Sequence, residues 1–168
     1  DWADRGFHQA SLAAQDGTMK ASSGDFDPSF RLGWNKRGLL ITAQITDQKL
    51  IADPDTKKLW RKDSVEIFLS KKVGSKESFQ LTIASPAKKS KPRFFLEDHR
   101  GKQGRHAPLG ADVFTRPTAN GYTLEALIPW QNLNIETKAG TEFGLQVFVN
   151  DSDDTAPYPG DWFRVAWY

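Results

Sequence analysis

Apolar and polar residues alternate with a period of two along most of this chain, and this alternation constrains the fold more than any other feature. Residues 64–69, with the sequence SVEIFL, show it most clearly, because every second residue is aliphatic. Successive side chains of a β-strand point to opposite faces of its sheet, so the aliphatic residues share one face. Glu66 is therefore predicted on the face that does not enter the core. No long segment shows the period of an amphipathic helix.

Further alternating segments are separated by turn signals, which is the pattern of an all-β protein. Residues 30–34 and 39–46 flank the turn sequence NKRG and are predicted to form a hairpin. Another predicted strand follows the turn signal Asn120-Gly121. We predict an antiparallel β-sandwich of the jelly-roll or immunoglobulin-like type with about eight to ten strands. The residues predicted to share its core are Val65, Ile67, Leu69, Phe79, Leu81, Ile83, Leu124, Ala126, Leu145 and Val147.

Length and composition exclude several classes of protein. The chain has 168 residues, which fits a single domain over residues 1–168 that buries roughly 70% of its unfolded surface. The absence of cysteine excludes disulfides, cysteine zinc ligands and a cysteine nucleophile. A net charge of +2 is too small to favour nucleic acid as a partner. No apolar run reaches membrane-spanning length and no signal peptide is recognisable, so the start at Asp1 favours a mature terminus or an excised domain.

Residues 86–110 interrupt the alternation with a basic segment that is rich in turn-forming residues. One interpretation is a binding loop for an anionic polymer, such as an acidic polysaccharide. The other is a solvated excursion between strands, and runs of charge are usually solvated. The cations of the segment are Lys88, Lys89, Lys91, Arg93, Arg100, Lys102 and Arg105, against only Glu97 and Asp98 as anions.

Trp60 stands in the loop that precedes the predicted strand carrying Glu66. The C–H face of a pyranose packs well on an indole, and a carboxylate accepts hydrogen bonds from hydroxyl groups. The pair therefore indicates a sugar-binding site. The structural alternative has Trp60 packed into the core and Glu66 solvated on a sheet face.

Residues that suit catalysis are sparse. The three histidines, His8, His99 and His106, have polar neighbours, and the motifs of serine hydrolases and zinc proteases are absent. A glycoside hydrolase needs two carboxyl groups about 5 to 9 Å apart across the scissile bond. Glu66 and Glu125 both lie on non-core faces of predicted strands and form the only couple that suits this role, provided that they face the same side.

The acidic turn at residues 150–154 (NDSDD) offers oxygen ligands for a metal ion. Asp151, Asp153 and Asp154 resemble the ligands of a calcium loop, but the glycine and the distal glutamate of an EF-hand loop are missing. A structural calcium ion and a plain acidic turn are both left open. No other cofactor is expected.

Four blocks of sequence, taken in order, resemble the family 9 carbohydrate-binding modules and their relatives in the DOMON-like β-sandwich superfamily. The blocks are residues 30–47, 59–68, 121–130 and 143–151, and the second, from Leu59-Trp60 to Phe68, is the most specific. The resemblance implies a β-sandwich that binds sugars without catalysis, notably at the ends of β-glucan or xylan chains. Such modules are often attached to secreted glycoside hydrolases.

The resemblance also implies roles for individual residues. Trp60 matches the loop tryptophan that stacks on sugar, and Glu66 matches the glutamate that bonds its hydroxyls. Gln80 stands where members of the family carry a basic residue, and Phe148 stands where they carry a glutamine. These are departures from the family pattern. Gln146 lies two residues before Phe148 on the same face, and Trp162 and Trp167 are imperfect substitutes for the second stacking tryptophan of the family.

We therefore expect a carbohydrate-binding module that forms part of a larger bacterial protein of polysaccharide degradation. It is expected to be secreted, or to lie at the cell surface or in the periplasm, and to bind a polysaccharide or oligosaccharide without entering a membrane. The ligand-binding residues are predicted to be Trp60, Glu66, Gln80, Gln146, Phe148 and Trp162. The main alternative is a structural spacer domain with a decayed sugar site, and the third is a glycoside hydrolase that uses Glu66 and Glu125.

Overall fold

The computed structural model describes residues 7–9, 13–14, 26–87, 91–101, 109–135, 138, 140–159 and 161–167. The described chain is nearly all β-structure, which confirms the predicted fold class. Nine strands have five residues or more, and two short ones precede them. In chain order the strands are β1 (Phe7–Gln9), β2 (Ala13–Ala14), β3 (Phe26–Trp34), β4 (Gly38–Asp47), β5 (Ser64–Ser70), β6 (Phe79–Ala84), β7 (Phe94–Asp98), β8 (Asp112–Thr118), β9 (Gly121–Pro129), β10 (Gly144–Asp151) and β11 (Phe163–Trp167).

The strands form two antiparallel sheets. Sheet 1 has the order β1-β3-β4-β9-β8, and sheet 2 has the order β2-β11-β10-β5-β6-β7. Short 3-10 helices at Thr56–Arg61 and Trp130–Asn132 lie in the connections. Among the described residues, no helix is long and apolar enough to cross a membrane.

Local turn chemistry fixes the register of sheet 1. In the predicted hairpin, Asn35 accepts hydrogen bonds on Oδ1 from the backbone of Arg37 at 2.8 Å and of Gly38 at 3.2 Å. This turn pairs β3 with β4 over their whole length. Gly121 opens β9 with a φ of 143°, and any side chain there would overlap the carbonyl oxygen of Ile45. Glycine is required at this position because only it combines that φ with so close a backbone approach.

The core lies between the two sheets. Nine of the ten residues predicted for it are buried, and Leu145 is partly buried and packs against the others. Burial of this apolar surface is the main force that holds the sheets together. The alternation that fills the core leaves each sheet with a second, outer face.

Candidate functional site

The outer face of sheet 2 carries polar and aromatic side chains at its centre. Antiparallel pairing places Glu66 of β5 directly opposite Phe148 of β10 and Thr82 of β6. One step further along, Phe68 is opposite Gln146 and Gln80. Strand β11 adds Arg164, which pairs with Asn150. This face therefore brings together residues from four strands that are distant in sequence.

Glu66 is the centre of a hydrogen-bond network on this face. Only 2% of the residue is exposed, and its carboxylate accepts bonds from Gln80, from Asn150 Nδ2 at 2.9 Å and from Arg164 at 2.5 Å. Burial raises the pKa of Glu66, while the charge of Arg164 and the bonds from Asn150 and Gln80 oppose the rise. The side chain lies outside the core, as its place in the alternation indicates, but it is not solvated. A buried carboxylate of this kind holds its donors in fixed positions.

Gln80 extends the network towards the edge of sheet 2. Its Nε2 donates to Glu66 and lies 3.1 Å from Thr82 Oγ1, while its Oε1 lies 3.0 Å from a ring nitrogen of His99. The His99 ring stacks on Phe68 with a centroid separation of 6.3 Å and an interplanar angle of 18°. Glu66 and Gln80, both predicted as ligand-binding residues, thus form one connected unit.

Arg164 joins this network to aromatic side chains. Its guanidinium carbon lies 4.7 Å from the ring centroid of Phe148 and 4.7 Å from that of Trp162. Its Nε also donates to Asn150 Oδ1 at 2.7 Å. A planar cation over an aromatic face gains cation–π attraction, more so when it is partly shielded from water. Arg164 is therefore fixed by two rings and by the two polar partners Glu66 and Asn150.

Three aromatic residues form a contiguous group beside Arg164, and we call Trp60, Tyr158 and Trp162 the aromatic cluster. Tyr158 lies between the two tryptophans, 4.9 Å from the ring centroid of Trp60 and 5.3 Å from that of Trp162. The guanidinium of Arg61 lies 5.3 Å from the Trp60 ring. Both tryptophans are half-buried, whereas Tyr158 is 39% exposed. Tyr158 thus presents the most accessible ring of the cluster.

The 3-10 helix at Thr56–Arg61 positions Trp60. Asp55 caps it, because its side chain accepts a hydrogen bond from the backbone of Lys57 at 3.0 Å. Leu59 is buried and anchors the helix to the protein. The Trp60 carbonyl accepts a hydrogen bond from Trp162 Nε1 at 3.0 Å, which ties the helix to the segment before β11.

Gln146, another predicted ligand-binding residue, uses its side-chain amide to contact backbone carbonyl groups. Its Nε2 donates to the backbone carbonyl of Trp167 and lies 3.3 Å from that of Val147. The structure places Trp60 and Trp162 in the aromatic cluster, Glu66 and Gln80 in the polar network, and Phe148 between the two. Whether these residues bind sugar stays a prediction.

Sequence reasoning missed Arg164, Asn150 and Tyr158. In the alternating sequence FRVAW, Phe163 and Val165 face the core, so Arg164 between them lies on the other face of the strand. Its outer position could therefore have been inferred from sequence. Its partners could not, since they depend on the pairing of β11 with β10. Tyr158 lies in a loop that gives no periodic signal.

The couple Glu66 and Glu125 does not form a glycosidase site, and that alternative is wrong. Glu66 lies on the outer face of sheet 2, whereas Glu125 lies exposed on the outer face of sheet 1, opposite Thr42 and Phe114. Packed sheets are about 10 Å apart, and side chains that point away from both sheets are separated further. One glycosidic bond cannot reach both carboxylates. Alternation distinguishes the two faces of one strand, but it does not tell which sheet that strand joins.

A second group of acidic residues lies where β4 and β10 end and β5 begins. Asp47, Asp63 and Asp151, which we call the carboxylate cluster, each place a ligand oxygen within 4.8 Å of the others. Burial, together with the charges of Asp47 and Asp151, raises the pKa of Asp63 to about 9 from an ordinary 3.8. Three carboxylates this close could hold a divalent cation, for which calcium is the natural choice because it prefers oxygen ligands.

Backbone N–H donors and a buried tyrosine hydroxyl surround the carboxylate cluster. Asp63 accepts hydrogen bonds from the backbone of Ile51 and, at 2.9 Å, of Ser152. The hydroxyl of Tyr122 is fully buried and has no hydrogen-bond partner among the described residues. Burial and the charges of the three carboxylates raise the pKa of Tyr122 well above its ordinary value.

The acidic turn proposed as a calcium loop does not gather its three aspartates at one point. Asp151 belongs to the carboxylate cluster, but Asp154 lies 3.4 Å from Lys62 Nζ. The backbone carbonyl of Asp153 accepts a hydrogen bond from Lys49. Any metal ion in this region would therefore use Asp47 and Asp63 in place of Asp153 and Asp154.

The basic segment uses two of its cations inside the molecule. Arg93 donates to the carbonyls of Asp53 at 2.6 Å and Pro54 at 2.9 Å. Arg100 pairs with Asp98 at 2.8 Å and donates to the Asn132 carbonyl. The predicted contributions of Lys88, Lys89, Lys102 and Arg105, and also of His106 and the His8 side chain, lie outside the described residues.

Comparison with known proteins agrees with this architecture. The sequence model of the family described as carbohydrate family 9 binding domain-like matches residues 2–163. A family 9 carbohydrate-binding module from Caldicellulosiruptor kristjanssonii, solved with cellotriose, is 19% identical with a TM-score of 0.63, covering 94% of this chain and 72% of that chain. A family 9 module from the same organism, solved with glucose, is also 19% identical, with a TM-score of 0.62, and the match covers 94% of this chain and 73% of that chain.

A structure from Bacteroides uniformis is 13% identical with a TM-score of 0.64, and the match covers 96% of this chain and 76% of that chain. No curated protein sequence matches the chain. Identities this low support a shared fold, while the family match spans nearly the whole sequence. The chain therefore belongs to the carbohydrate family 9 binding domain-like family.

Proposed function

We propose that this protein is a non-catalytic carbohydrate-binding module whose site is the outer face of sheet 2 around Glu66 and the aromatic cluster. One observation carries the proposal: a buried carboxylate holds Arg164, Asn150 and Gln80 in one network, and the Arg164 guanidinium lies on the ring of Trp162 in the aromatic cluster. Sugar recognition needs this combination, because a pyranose has an apolar C–H face and a rim of hydroxyl groups. The related modules solved with cellotriose and glucose support it.

The role that each residue plays in the proposed site follows from how deeply its side chain is buried. Glu66 is almost inaccessible, so it acts mainly by orienting Arg164 and Gln80. Arg164 has five N–H donors, and its bonds to Glu66 and Asn150 leave others for sugar hydroxyls. Tyr158 offers the accessible aromatic surface, with Trp60 and Trp162 behind it.

The ligand class we infer is a neutral β-glucan or xylan, bound at a chain end or as an oligosaccharide. The separation of Glu66 and Glu125 on opposite faces supports binding without hydrolysis. We further infer that the domain serves in a larger, secreted bacterial protein that degrades polysaccharide, since modules of this family often accompany glycoside hydrolases.

Titration with glucose, cellobiose and xylobiose tests the proposal through amide chemical shifts and tryptophan fluorescence. We expect weak binding near a millimolar dissociation constant, or about −4 kcal/mol. Trp60→Ala should weaken it about tenfold or more, because a packed aromatic ring contributes ~0.5–1.5 kcal/mol beyond its buried area. Phe114→Ala is the matched control, since this ring is 57% exposed on sheet 1 and lies far from the site.

A second candidate function is a spacer domain, and one observation favours it. The two tryptophans are half-buried and pack against Tyr158, so neither offers a fully open ring face. If no sugar shifts any resonance, the spacer function is the correct one. A response that Trp60→Ala leaves unchanged would instead mean that the aromatic cluster is not the sugar site.

A further inference from the structure

A groove of about 580 Å³ opens at one end of sheet 2, away from the aromatic cluster, and its lining joins Phe68, Gln146 and Phe148 of the outer face to core-side residues such as Trp167. It lies where β5 ends and β10 begins, whereas the aromatic cluster lies near the opposite ends of these strands. Its lining includes Phe68, Phe148, Trp167, Gln146, Ser75 and Ser78. Its volume falls within the range of about 300–1,000 Å³ that is usual for small-molecule sites.

A row of planar groups in contact connects the aromatic cluster to this groove. The guanidinium of Arg164 lies between the rings of Trp162 and Phe148. Phe148 in turn contacts Phe68, with a ring-centroid separation of 5.6 Å. Phe68 and Phe148 both line the groove. A ligand that begins on the cluster therefore passes the Arg164 guanidinium, which can donate to its hydroxyls, and then meets the rings of Phe148 and Phe68 at the groove.

The chemistry of the lining selects the kind of ligand. Aromatic rings supply flat apolar surface, while Ser75, Ser78 and the side-chain carbonyl of Gln146 supply groups that can bond hydroxyls. None of the residues that line the groove within the described chain is charged. A lining of this kind suits an uncharged polyhydroxylated chain and gives no compensation for burying a carboxylate.

We propose that the groove is a second subsite, which holds further units of a neutral glycan chain whose first unit contacts the aromatic cluster. The inference rests on the proposed sugar-binding function and specifies its ligand as an extended oligosaccharide. It predicts that affinity rises with chain length, since each additional unit covers more of the Phe148, Phe68 and groove surface. A site limited to the aromatic cluster would bind a single sugar and a longer chain almost equally.

The test is a calorimetric titration of the whole domain with glucose, cellobiose, cellotriose and cellotetraose. We expect cellotetraose to bind at least about tenfold more tightly than glucose, because about 1.4 kcal/mol of added contact is enough for that factor. Val73 is 71% exposed and lines the groove, so Val73→Arg should obstruct it without disturbing the core. The affinity ratio of cellotetraose to glucose should then fall to about one.

Phe68→Ala is the second groove variant and should lower the same ratio, with Phe114→Ala on sheet 1 as the control that leaves it unchanged. A wild-type ratio near one, or a high ratio that survives both groove variants, overturns the second subsite. Failure of the sugar-binding function gives a different result, because then no saccharide binds or Trp60→Ala has no effect on any of them.

Discussion

Asp63 and Glu66 are close in sequence and both are buried, yet they have opposite surroundings. Glu66 faces Arg164 and the amides of Asn150 and Gln80. Asp63 faces two other carboxylates, Asp47 and Asp151. Burial raises the pKa of both, but a nearby cation opposes the rise only at Glu66. The comparison shows that the alternation decides which face of a sheet a residue occupies, whereas partners brought by distant strands decide the burial and the chemistry of each carboxylate.

The largest effect we expect from this contrast is a fall in stability with rising pH that originates at Asp63. Folding raises the pKa of Asp63 from its ordinary value of 3.8 to about 9, so the folded state binds a proton more tightly than the unfolded state. Its contribution is complete below about pH 4 and is lost as pH rises towards 9. Each unit of pKa difference corresponds to about 1.36 kcal/mol.

Urea denaturation at pH 5, 7 and 9 measures this slope. Asp47→Asn removes a neighbouring charge and keeps an oxygen that can accept the bond from the Lys49 backbone, so it should flatten the slope. Stability that is constant or increases from pH 5 to 9 would show that Asp63 is already ionised in the folded protein.

The second effect is the cost of removing Glu66. Glu66→Ala leaves the largely buried Arg164 without its carboxylate, and breaking a buried pair in this way costs about 3–5 kcal/mol. Glu125→Ala on the exposed face of sheet 1 is the matched control and should change stability by no more than about 0.5 kcal/mol. Equal and small changes in the two unfolding free energies would mean that the network around Glu66 is not structurally important.

The third effect we expect is a response to calcium at the carboxylate cluster and none at the network around Glu66. If the cluster binds calcium, the ion replaces the proton, so calcium should raise the melting temperature more at pH 8 than at pH 5. At a concentration of 100 times the dissociation constant the stabilisation is about 2.7 kcal/mol. Asp151→Asn should reduce the gain, whereas Glu66→Gln should not. Identical melting curves with calcium and with a chelator would argue against a metal ion there.

The same contrast explains how much of the fold and of the candidate site could be predicted from the sequence. The β-sandwich and its core were predictable, because residues such as Val65 and Ile67 reveal their face through their immediate neighbours. The carboxylate cluster and the Glu66–Arg164 pair were not, since both depend on which strands become adjacent. Glu125 illustrates the limit, because the alternation predicted its outer position correctly but could not tell which of the two sheets its strand joins.

The smallest effect we expect tests whether the shape of Arg164 matters as well as its charge. Arg164→Lys keeps a cation near Glu66 but removes the planar group between Phe148 and Trp162. The loss of a cation–π contact of about 0.5–2 kcal/mol should weaken cellobiose binding by up to roughly tenfold and stability by less than Glu66→Ala does. Arg116→Lys on the exposed face of sheet 1 is the matched control and should leave both unchanged. Calorimetric titration and urea denaturation of the two variants measure these changes. Unchanged binding in Arg164→Lys would show that the charge alone is sufficient and that the ring stack plays no part in recognition.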